Sequence, residues 1–349
     1  MEIIMATRSS IMDTNSYRGD EKGLLDEKTQ DLIERREKYM SGSYRLFYRK
    51  PVNLVRGEGE YLWDADGVKY LDMYNNVASI GHCHPAVVEA VNKQMKLLNT
   101  HTRYLHETIV DYSEKILAKM PEEVDKVMFM CTGSEANDLA IRVAQEYTGG
   151  KGIIVSQEAY HGTSALTSGV SPALGSEQPI LPYARLARTP DYYRVGGTEA
   201  EFTDWYCKEI QSKIDDMEKN GIKFAGFLAD SIFSSDGVHP NPRGFLKAAV
   251  DAVHKNGGVF IADEVQPGFA RTGDAFLDFE LVSDIEKKTP DQKKALDLIE
   301  LLRDNQVLTS CCGPFGNVLK IRPTLAFASH DIDWVASALD KCLTQLENA

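Results

Sequence analysis

The sequence predicts an α/β protein with a mostly parallel sheet, followed by a smaller α+β domain. Two observations support this: apolar runs alternate with amphipathic stretches through the middle of the chain, and the last seventy residues show a second strand–helix set. Alternating strands and helices place helices on both faces of a parallel sheet. The predicted pairs are a strand at 127–130 with a helix from Ser134, a strand at 152–155 with a helix near Gly162, and a strand at 224–229 with a helix over 244–254.

A further apolar run, residues 258–262, ends in the acidic pair Asp263 and Glu264. This pattern predicts a buried inner strand that brings Asp263 to the carboxyl edge of the sheet. Ligands of α/β proteins bind at that edge. Asp263 is therefore the first candidate for a functional residue. The alternative is an Asp that caps a turn or pairs with Arg271.

The remaining elements surround this middle part of the chain. Residues 1–40 are polar and predict an arm or surface cover with a helix over 27–39, and the Asp-Gly turn at 64–67 predicts a hairpin. Pro85 opens a helix. Further helices are predicted over 106–119, 201–220, 291–304 and 331–346, with a strand at 317–322 and a long surface loop at 171–197. We expect three parts: an arm (1–40), an N-terminal segment with the large domain (41–276), and a small domain (277–349).

Composition narrows the function classes. The chain has 349 residues, 43% of them hydrophobic, which allows a large core. A net charge of −13 repels phosphate backbones and argues against nucleic acid. No apolar stretch has the length of a membrane span, and the N-terminus lacks the pattern of a signal peptide. Six cysteines without metal-ligand spacing predict a reduced, cytoplasmic protein with no metal.

Three motifs predict a binding site. Residues 131–137 lie where a strand gives way to a helix, so Gly133 and Ser134 would present backbone N–H groups to an anion; the alternative is a plain N-cap at Ser134. Tyr160 and His161 follow the next strand, and an aromatic ring there is able to stack on a planar ligand. The third is Asp263 with Gln266, whose alternative role is that of a turn residue before Pro267.

In this order, the motifs resemble those of the class III aminotransferases, which depend on pyridoxal 5'-phosphate. The resemblance extends through residues 55–59, 74–76, 81–85 and 316–323, and so covers most of the chain from Tyr44 onward. It implies fold type I, with a mostly parallel large domain that is incomplete here and a smaller α+β C-terminal domain. A homodimer is also implied, with a small-molecule amine or amino acid as substrate.

The resemblance also assigns roles to the candidate residues. Asp263 would pair with the pyridinium nitrogen of the cofactor, Gly133 and Ser134 would hold its phosphate, and Tyr160, next to His161, would stack on its ring. Gln266 would reach the ring hydroxyl. Asp230 matches an acidic position of the family, although residues 231–237 depart from the usual pattern.

The lysine that binds the cofactor in this family is not found. It should follow Asp263 by roughly thirty residues, but the chain passes from Phe276 directly into Leu277, which resembles the small domain. Lys293 has the right spacing, yet its neighbours predict a surface helix, so we interpret the match as coincidence. Loss of that lysine removes a general base worth about 10²- to 10⁴-fold in rate, which places catalysis by this chain in doubt.

Three interpretations therefore stay open: an aminotransferase whose sequence here lacks a segment, a non-catalytic protein that binds or regulates, and a different enzyme on the same scaffold. The amino donor and acceptor are not readable from the sequence. A phospho-lyase acting on a phosphorylated amine is an alternative within the family, and Arg322 would then grip a carboxylate or phosphate, or else serve the structure.

Overall fold

The computed structural model describes residues 10–348, apart from 21, 22, 24, 76 and 273–276. The helices are α1 (Glu27–Tyr39), α2 (Pro85–Met95), α3 (Glu107–Leu117), α4 (Gly133–Thr148), α5 (Ala165–Ser168), α6 (Tyr192–Val195), α7 (Glu199–Lys219), α8 (Phe245–Lys255), α9 (Gln292–Asp304) and α10 (Ser329–Glu347). The strands are β1 (Leu54–Glu58), β2 (Tyr61–Asp64), β3 (Lys69–Asp72), β4 (Gly152–Ser156), β5 (Ala184–Ala187), β6 (Phe224–Asp230), β7 (Val259–Asp263), β8 (Leu277–Glu280), β9 (Val282–Asp284), β10 (Thr289–Pro290), β11 (Val307–Leu308), β12 (Ser310–Cys312) and β13 (Val318–Ile321).

The central sheet has the order β5-β4-β6-β7, and all of its strands are parallel. Side chains of α7 and α8, such as Phe202 and Val253, pack with Ile154 and Phe227 in one core cluster. Ile141 of α4 packs in a second cluster with Ile153, Ala225 and Leu228. Since neighbouring residues of a strand point to opposite faces, the sheet carries helices on both sides. This confirms the predicted α/β class.

β7 differs from its prediction. The strand forms and ends at Asp263, but it is the edge strand of the central sheet among the described residues. Val259, Phe260 and Ile261 are half-buried and Ala262 is exposed. The expectation of a buried inner strand was wrong because an apolar run is fully buried only when strands or helices cover both its sides.

Two other predictions fail locally. Residues 127–130 form no strand, and Met128 and Phe129 are 68% and 42% exposed. A strand requires a hydrogen-bonding neighbour, and none of the strands in the described ranges pairs with this segment. Conversely, the predicted loop at 171–197 contains β5, which pairs with β4 and is covered by α7.

The C-terminal part forms its own layer. β8, β13 and β12 make an antiparallel sheet, and α9 and α10 pack on it, as the sequence predicts. The hairpin of β1–β3 joins this layer, because β11 pairs in parallel with β3 and Leu71 packs with Leu298 and Leu319. The division into three parts stays a prediction. Phe276, at the position of the missing segment, lies outside the described residues.

The N-terminal helix has the bounds that the sequence predicts. Asp26 caps α1 by accepting a hydrogen bond from the Thr29 N–H at 2.9 Å. The helix that Pro85 opens is also confirmed, as α2. Across the described part of the chain, none of the helices combines the length and apolar character that a membrane crossing requires.

Candidate functional site

All seven residues singled out from the sequence line one cleft of about 410 Å³. One wall is the carboxyl edge of the central sheet, where the register places Asp230 of β6 directly beside Asp263 of β7. β12 and the C-terminal half of β13 also line the cleft. The members are Gly133, Ser134, Tyr160, His161, Asp230, Asp263 and Gln266. A volume of this size is ordinary for a small-molecule site.

Asp263 is a buried residue of the cleft, and one of its carboxylate oxygens accepts two hydrogen bonds. Its Oδ2 accepts from His161 Nδ1 at 2.8 Å and from the Asn137 amide at 2.8 Å, while Oδ1 accepts from the Val265 N–H at 3.2 Å. Burial raises the pKa of Asp263, but the hydrogen bond and charge of His161, with the other two donors, outweigh it and hold the pKa below its ordinary value. The carboxylate therefore stays ionised inside the protein.

The alternative partner of Asp263, Arg271, is not used. Arg271 is buried elsewhere and donates from Nη2 to the carbonyl oxygens of Arg322 and Pro323. The turn-capping alternative is met in part by the bond from Val265, which leaves Oδ1 with room for a second donor.

His161 and Asn137 are held in place by their own bonds. The backbone N–H of His161 donates to Ser171 Oγ at 2.8 Å, and the side-chain amide of Asn137 also donates to the backbone carbonyl of His161 at 3.1 Å. Because a carboxylate only accepts, Nδ1 of His161 carries the proton that it shares with Asp263. His161 thus fixes the position of the acid and helps to keep it charged.

The start of α4 also lines the cleft. Thr132 is the N-cap, since its Oγ1 accepts from the Glu135 N–H at 3.1 Å, so the alternative of an N-cap at Ser134 is wrong. Ser134 Oγ instead accepts from the Thr163 N–H at 3.1 Å. The first N–H groups of a helix have no partner within it, and the positive end of the helix dipole favours an anion there.

Two glycines let the backbone approach this helix start closely. A Cβ on Gly133 would lie 2.8 Å from a methyl group of Val265. Gly162 has a φ of +135°, and a Cβ on it would lie 2.8 Å from Ser134 Cα. Larger residues at either position would displace the walls, so the glycines give the cleft its shape.

Tyr160, next to these groups, is half-buried in the cleft, and burial raises the pKa of its hydroxyl. Its phenol therefore stays neutral. A neutral aromatic ring on one wall offers a flat apolar surface to a planar ligand.

Asp230 and Gln266 have protein partners of their own. Asp230 accepts from the N–H groups of Ile232 and Ser234 and from the Ser234 hydroxyl, and burial raises its pKa. Gln266 Oε1 accepts from Arg322 Nη1 at 2.6 Å, and Gln266 lines the cleft. Asp230 thus fixes the turn after β6.

Arg322, which the sequence left between a ligand role and a structural one, lines the cleft as well. Its guanidinium lies 4.0 Å from the centre of the Tyr74 ring, and its buried Nε has no hydrogen-bond partner among the described residues. A cation in this position adds positive charge to a cleft that also contains the start of α4.

The sequence analysis missed several residues of the cleft, among them Arg45, Asn137 and Lys320. Asn137 lies one helical turn after Gly133, so helix periodicity places both on the same face and would have found it. Lys320, on β13, is 4% exposed and donates to the Ser234 carbonyl at 2.7 Å. Burial lowers its pKa to about 8. Nothing in the local sequence indicates that β13 would face the central sheet.

Lys293, the residue with the spacing of a cofactor lysine, is not among the residues that line the cleft. It is on the first turn of α9, its side chain is 88% exposed, and its ammonium pairs with Asp297 at 2.7 Å. The interpretation of a surface helix is confirmed.

Comparisons with known proteins show which family the chain resembles. The family model for class III aminotransferases matches residues 46–285. The chain is 40% identical over 254 residues to "Alanine--glyoxylate aminotransferase 2 homolog 2, mitochondrial" of Arabidopsis thaliana, covering 71% of this chain and 52% of that protein. It is 33% identical over 270 residues to "Ethanolamine-phosphate phospho-lyase homolog 1" of Caenorhabditis elegans, covering 73% and 58%. The chain thus spans about half the length of the curated relatives it matches.

A solved structure shares most of the fold. The phospholyase from Arthrobacter, determined in complex with phosphoethanolamine, superimposes with a TM-score of 0.85 at 26% identity, covering 90% of this chain and 99% of that one. The architecture is therefore that of the fold-type I enzymes, as the sequence resemblance implies.

Proposed function

We propose, from the premise that this chain belongs to the class III aminotransferase family, that its cleft binds pyridoxal 5'-phosphate and serves amino-group transfer between an amine or amino acid and a carbonyl acceptor. One observation carries the proposal. A buried, ionised carboxylate, Asp263, lies in the same cleft as the first turn of α4, so that a site for a cation and a site for an anion face one ligand.

The residues present fit this cofactor. Oδ1 of Asp263 has room for a second donor, which a protonated pyridine nitrogen supplies, and the charge on Asp263 stabilises that proton. Gly133 and Ser134 offer the backbone N–H groups of a helix start to the phosphate. When bound, pyridoxal 5'-phosphate supplies an electron sink for bonds that break at the substrate's α-carbon.

The other cleft residues position the ligand. Tyr160 offers its ring as a stacking surface, and Gln266, held by Arg322, presents its amide to the ring hydroxyl. His161 acts through Asp263 rather than on the ligand, because its Nδ1 proton keeps the acid ionised and oriented. Asp230 shapes the adjoining strand end.

The test is a binding titration of the whole chain with pyridoxal 5'-phosphate. Asp263→Asn keeps the shape of the side chain and removes its charge, so we expect the cofactor Kd to rise by about tenfold or more. Asp251→Asn is the control, because Asp251 is 61% exposed on α8 and pairs with Lys247. Equal affinities for the wild type and both variants would contradict the assignment of the cleft.

A second candidate is a phospho-lyase acting on a phosphorylated amine. Lys320 and Arg322 line the cleft, as does Arg45, which pairs with Asp13 at 2.8 Å, and these cations exceed what one cofactor phosphate at a helix start requires. The phospho-lyase names of two similar proteins favour the same substrate class. Incubation of the cofactor-loaded chain with phosphoethanolamine separates the candidates, because a lyase releases inorganic phosphate and an aminotransferase does not.

The assembly and the compartment belong to the proposal too. The family resemblance implies a homodimer, and the apolar faces of α2 and α3, which are exposed in the single chain, support a second copy as the cover. The spacing of the six cysteines, which shows no metal-ligand pattern, supports a reduced compartment, and we propose the cytoplasm. Three of the similar proteins are named as mitochondrial, so fractionation of cells that express the chain decides between the two.

A further inference from the structure

Lys320 is a buried amine to which the proposed aminotransferase function assigns no role. It lies on β13, the middle strand of the sheet β12-β13-β8, and it lines the same cleft as Asp263 and Tyr160. Within the described ranges its ammonium donates one hydrogen bond, to the Ser234 carbonyl at 2.7 Å. A lysine with a single neutral acceptor is poorly compensated for the loss of water.

Charged groups from several elements act on this amine. Asp230 and Asp236, at and after the end of β6, and Cys312 of β12 favour its charged form, whereas Arg322 opposes it. Burial has the largest effect and lowers the pKa of Lys320 to about 8. A sizeable fraction of Lys320 is therefore a neutral nucleophile slightly above neutral pH, as in enzymes that use lysine for covalent catalysis.

We propose that Lys320 forms the covalent link between this cleft and an aldehyde-bearing cofactor. The neutral Nζ attacks the aldehyde carbon, a C=N double bond forms, and the carbonyl oxygen leaves as water with the two protons of the amine. The step is a condensation and requires neither oxidant nor reductant. It rests on the proposed function, since pyridoxal 5'-phosphate is the aldehyde.

The assignment differs from what spacing along the chain suggests. Spacing from Asp263 points to Lys293, which is on the surface and paired with Asp297. Lys320 reaches the cleft from a different sheet, and its ammonium lies beside the turn that follows β6. It therefore lines the same cleft as Asp263 and the start of α4 without being near either in sequence.

The test is peptide mapping of the whole chain after incubation with pyridoxal 5'-phosphate and reduction with borohydride. We expect the phosphopyridoxyl group on Lys320, at about tenfold or more the yield on Lys293 of the same sample. The yield should rise with pH through a midpoint near 8, because only the neutral amine attacks.

Lys320→Arg is the matched variant, because its guanidinium keeps the charge and a donor toward Ser234 but does not condense with the aldehyde. Lys320→Gln serves if the arginine does not fit. In a folded variant, verified by circular dichroism, we expect the label to disappear and the cofactor Kd to rise, because the covalent link no longer adds to the contacts of Asp263 and the start of α4. Lys293→Arg should leave labelling unchanged.

The outcomes separate the two proposals. If the cofactor binds saturably, and Asp263→Asn weakens it, but the label is on other lysines, the role of Lys320 is overturned and the cleft assignment stands. If no saturable binding is found, the cleft assignment itself fails. Label on Lys320 that persists at competing concentrations of free amine supports both.

Discussion

The central sheet and the helical segment at 77–130 both have apolar patterns in sequence that predict burial. In the structure, the apolar residues of the sheet are buried and those of the helical segment are exposed. In the sheet, Ile154, Phe227 and Leu228 are completely buried. In α2 and α3, which lie wholly within the described part of the chain, no residue is buried, and Val91 is 53% exposed. Periodicity therefore predicts a helix and its apolar face, but it does not tell whether the covering surface belongs to the same fold.

The difference has an energetic consequence. Most of the stability of a short helix in a protein comes from packing of its apolar face, and burial contributes about 25 cal/mol per Å². The central sheet with α4, α7 and α8 gains this contribution within one chain. α2 and α3 gain little of it within the described part of the chain, because none of their residues is buried.

The largest effect should come from matched truncations in the two regions. Leu228→Ala removes a completely buried side chain and leaves a cavity, so we expect the free energy of unfolding to fall by about 3 kcal/mol. Leu98 follows the end of α2 and is 46% exposed. Leu98→Ala should therefore change the free energy of unfolding of the monomer by less than about 0.5 kcal/mol. Urea unfolding at low protein concentration measures both.

Equal losses in the two variants would mean that the helical segment packs more tightly in solution than the exposed faces indicate. A loss for Leu98→Ala that appears only at high protein concentration would instead support a second copy as its cover, since association adds to apparent stability.

A smaller effect is expected from a buried acid beside the sheet. Asp236 is 2% exposed and accepts from the hydroxyls of Ser156 and of Thr189, the latter at 3.0 Å. Burial raises its pKa to about 6. Because the folded chain then holds a proton that the unfolded chain has lost, Asp236 makes stability fall as the pH rises from about 4 to 6.

Asp236→Asn keeps an oxygen for both hydroxyls and does not ionise. We expect it to be more stable than the wild type at pH 7, by about 2 kcal/mol, and equal to it near pH 4. Thermal unfolding across this pH range measures the change. Asp204→Asn, on the exposed face of α7, is the control and should show no such difference. A variant that is less stable at every pH would show that Asp236 is needed as a charge.

The sequence predicted where helices and strands lie better than it predicted which strands pair with each other. Helices such as α7 and α9 were found because their apolar faces repeat at helical spacing and are covered within the chain. The strand at 127–130 was not formed, and β5 was missed inside a supposed loop, because pairing depends on residues far away in sequence.

The dependence on distant contacts also explains which cleft residues the sequence predicted and which it did not. Gly133, Tyr160 and Asp263 follow strand ends or precede a helix, which local patterns reveal. Lys320 is a strand residue with apolar neighbours, and only the packing of one sheet against another brings it to the cleft. Chemistry that depends on such contacts is not visible in the sequence.

The smallest effect on folding, and the most specific one for the comparison, concerns the exposed face of α2. Val91→Glu should change the free energy of unfolding of the monomer by less than about 0.5 kcal/mol, because the site is open to water. If a second copy covers α2, the same change buries an unpaired charge in the interface and should raise the dimer Kd by about tenfold or more. Sedimentation velocity measures the association. Ile332→Glu, on α10 and 55% exposed, is the control for added charge at an apolar position. A wild-type chain that sediments as a monomer at every concentration would remove the second copy as the cover of this face, and the difference between the two regions would then be a property of the single chain.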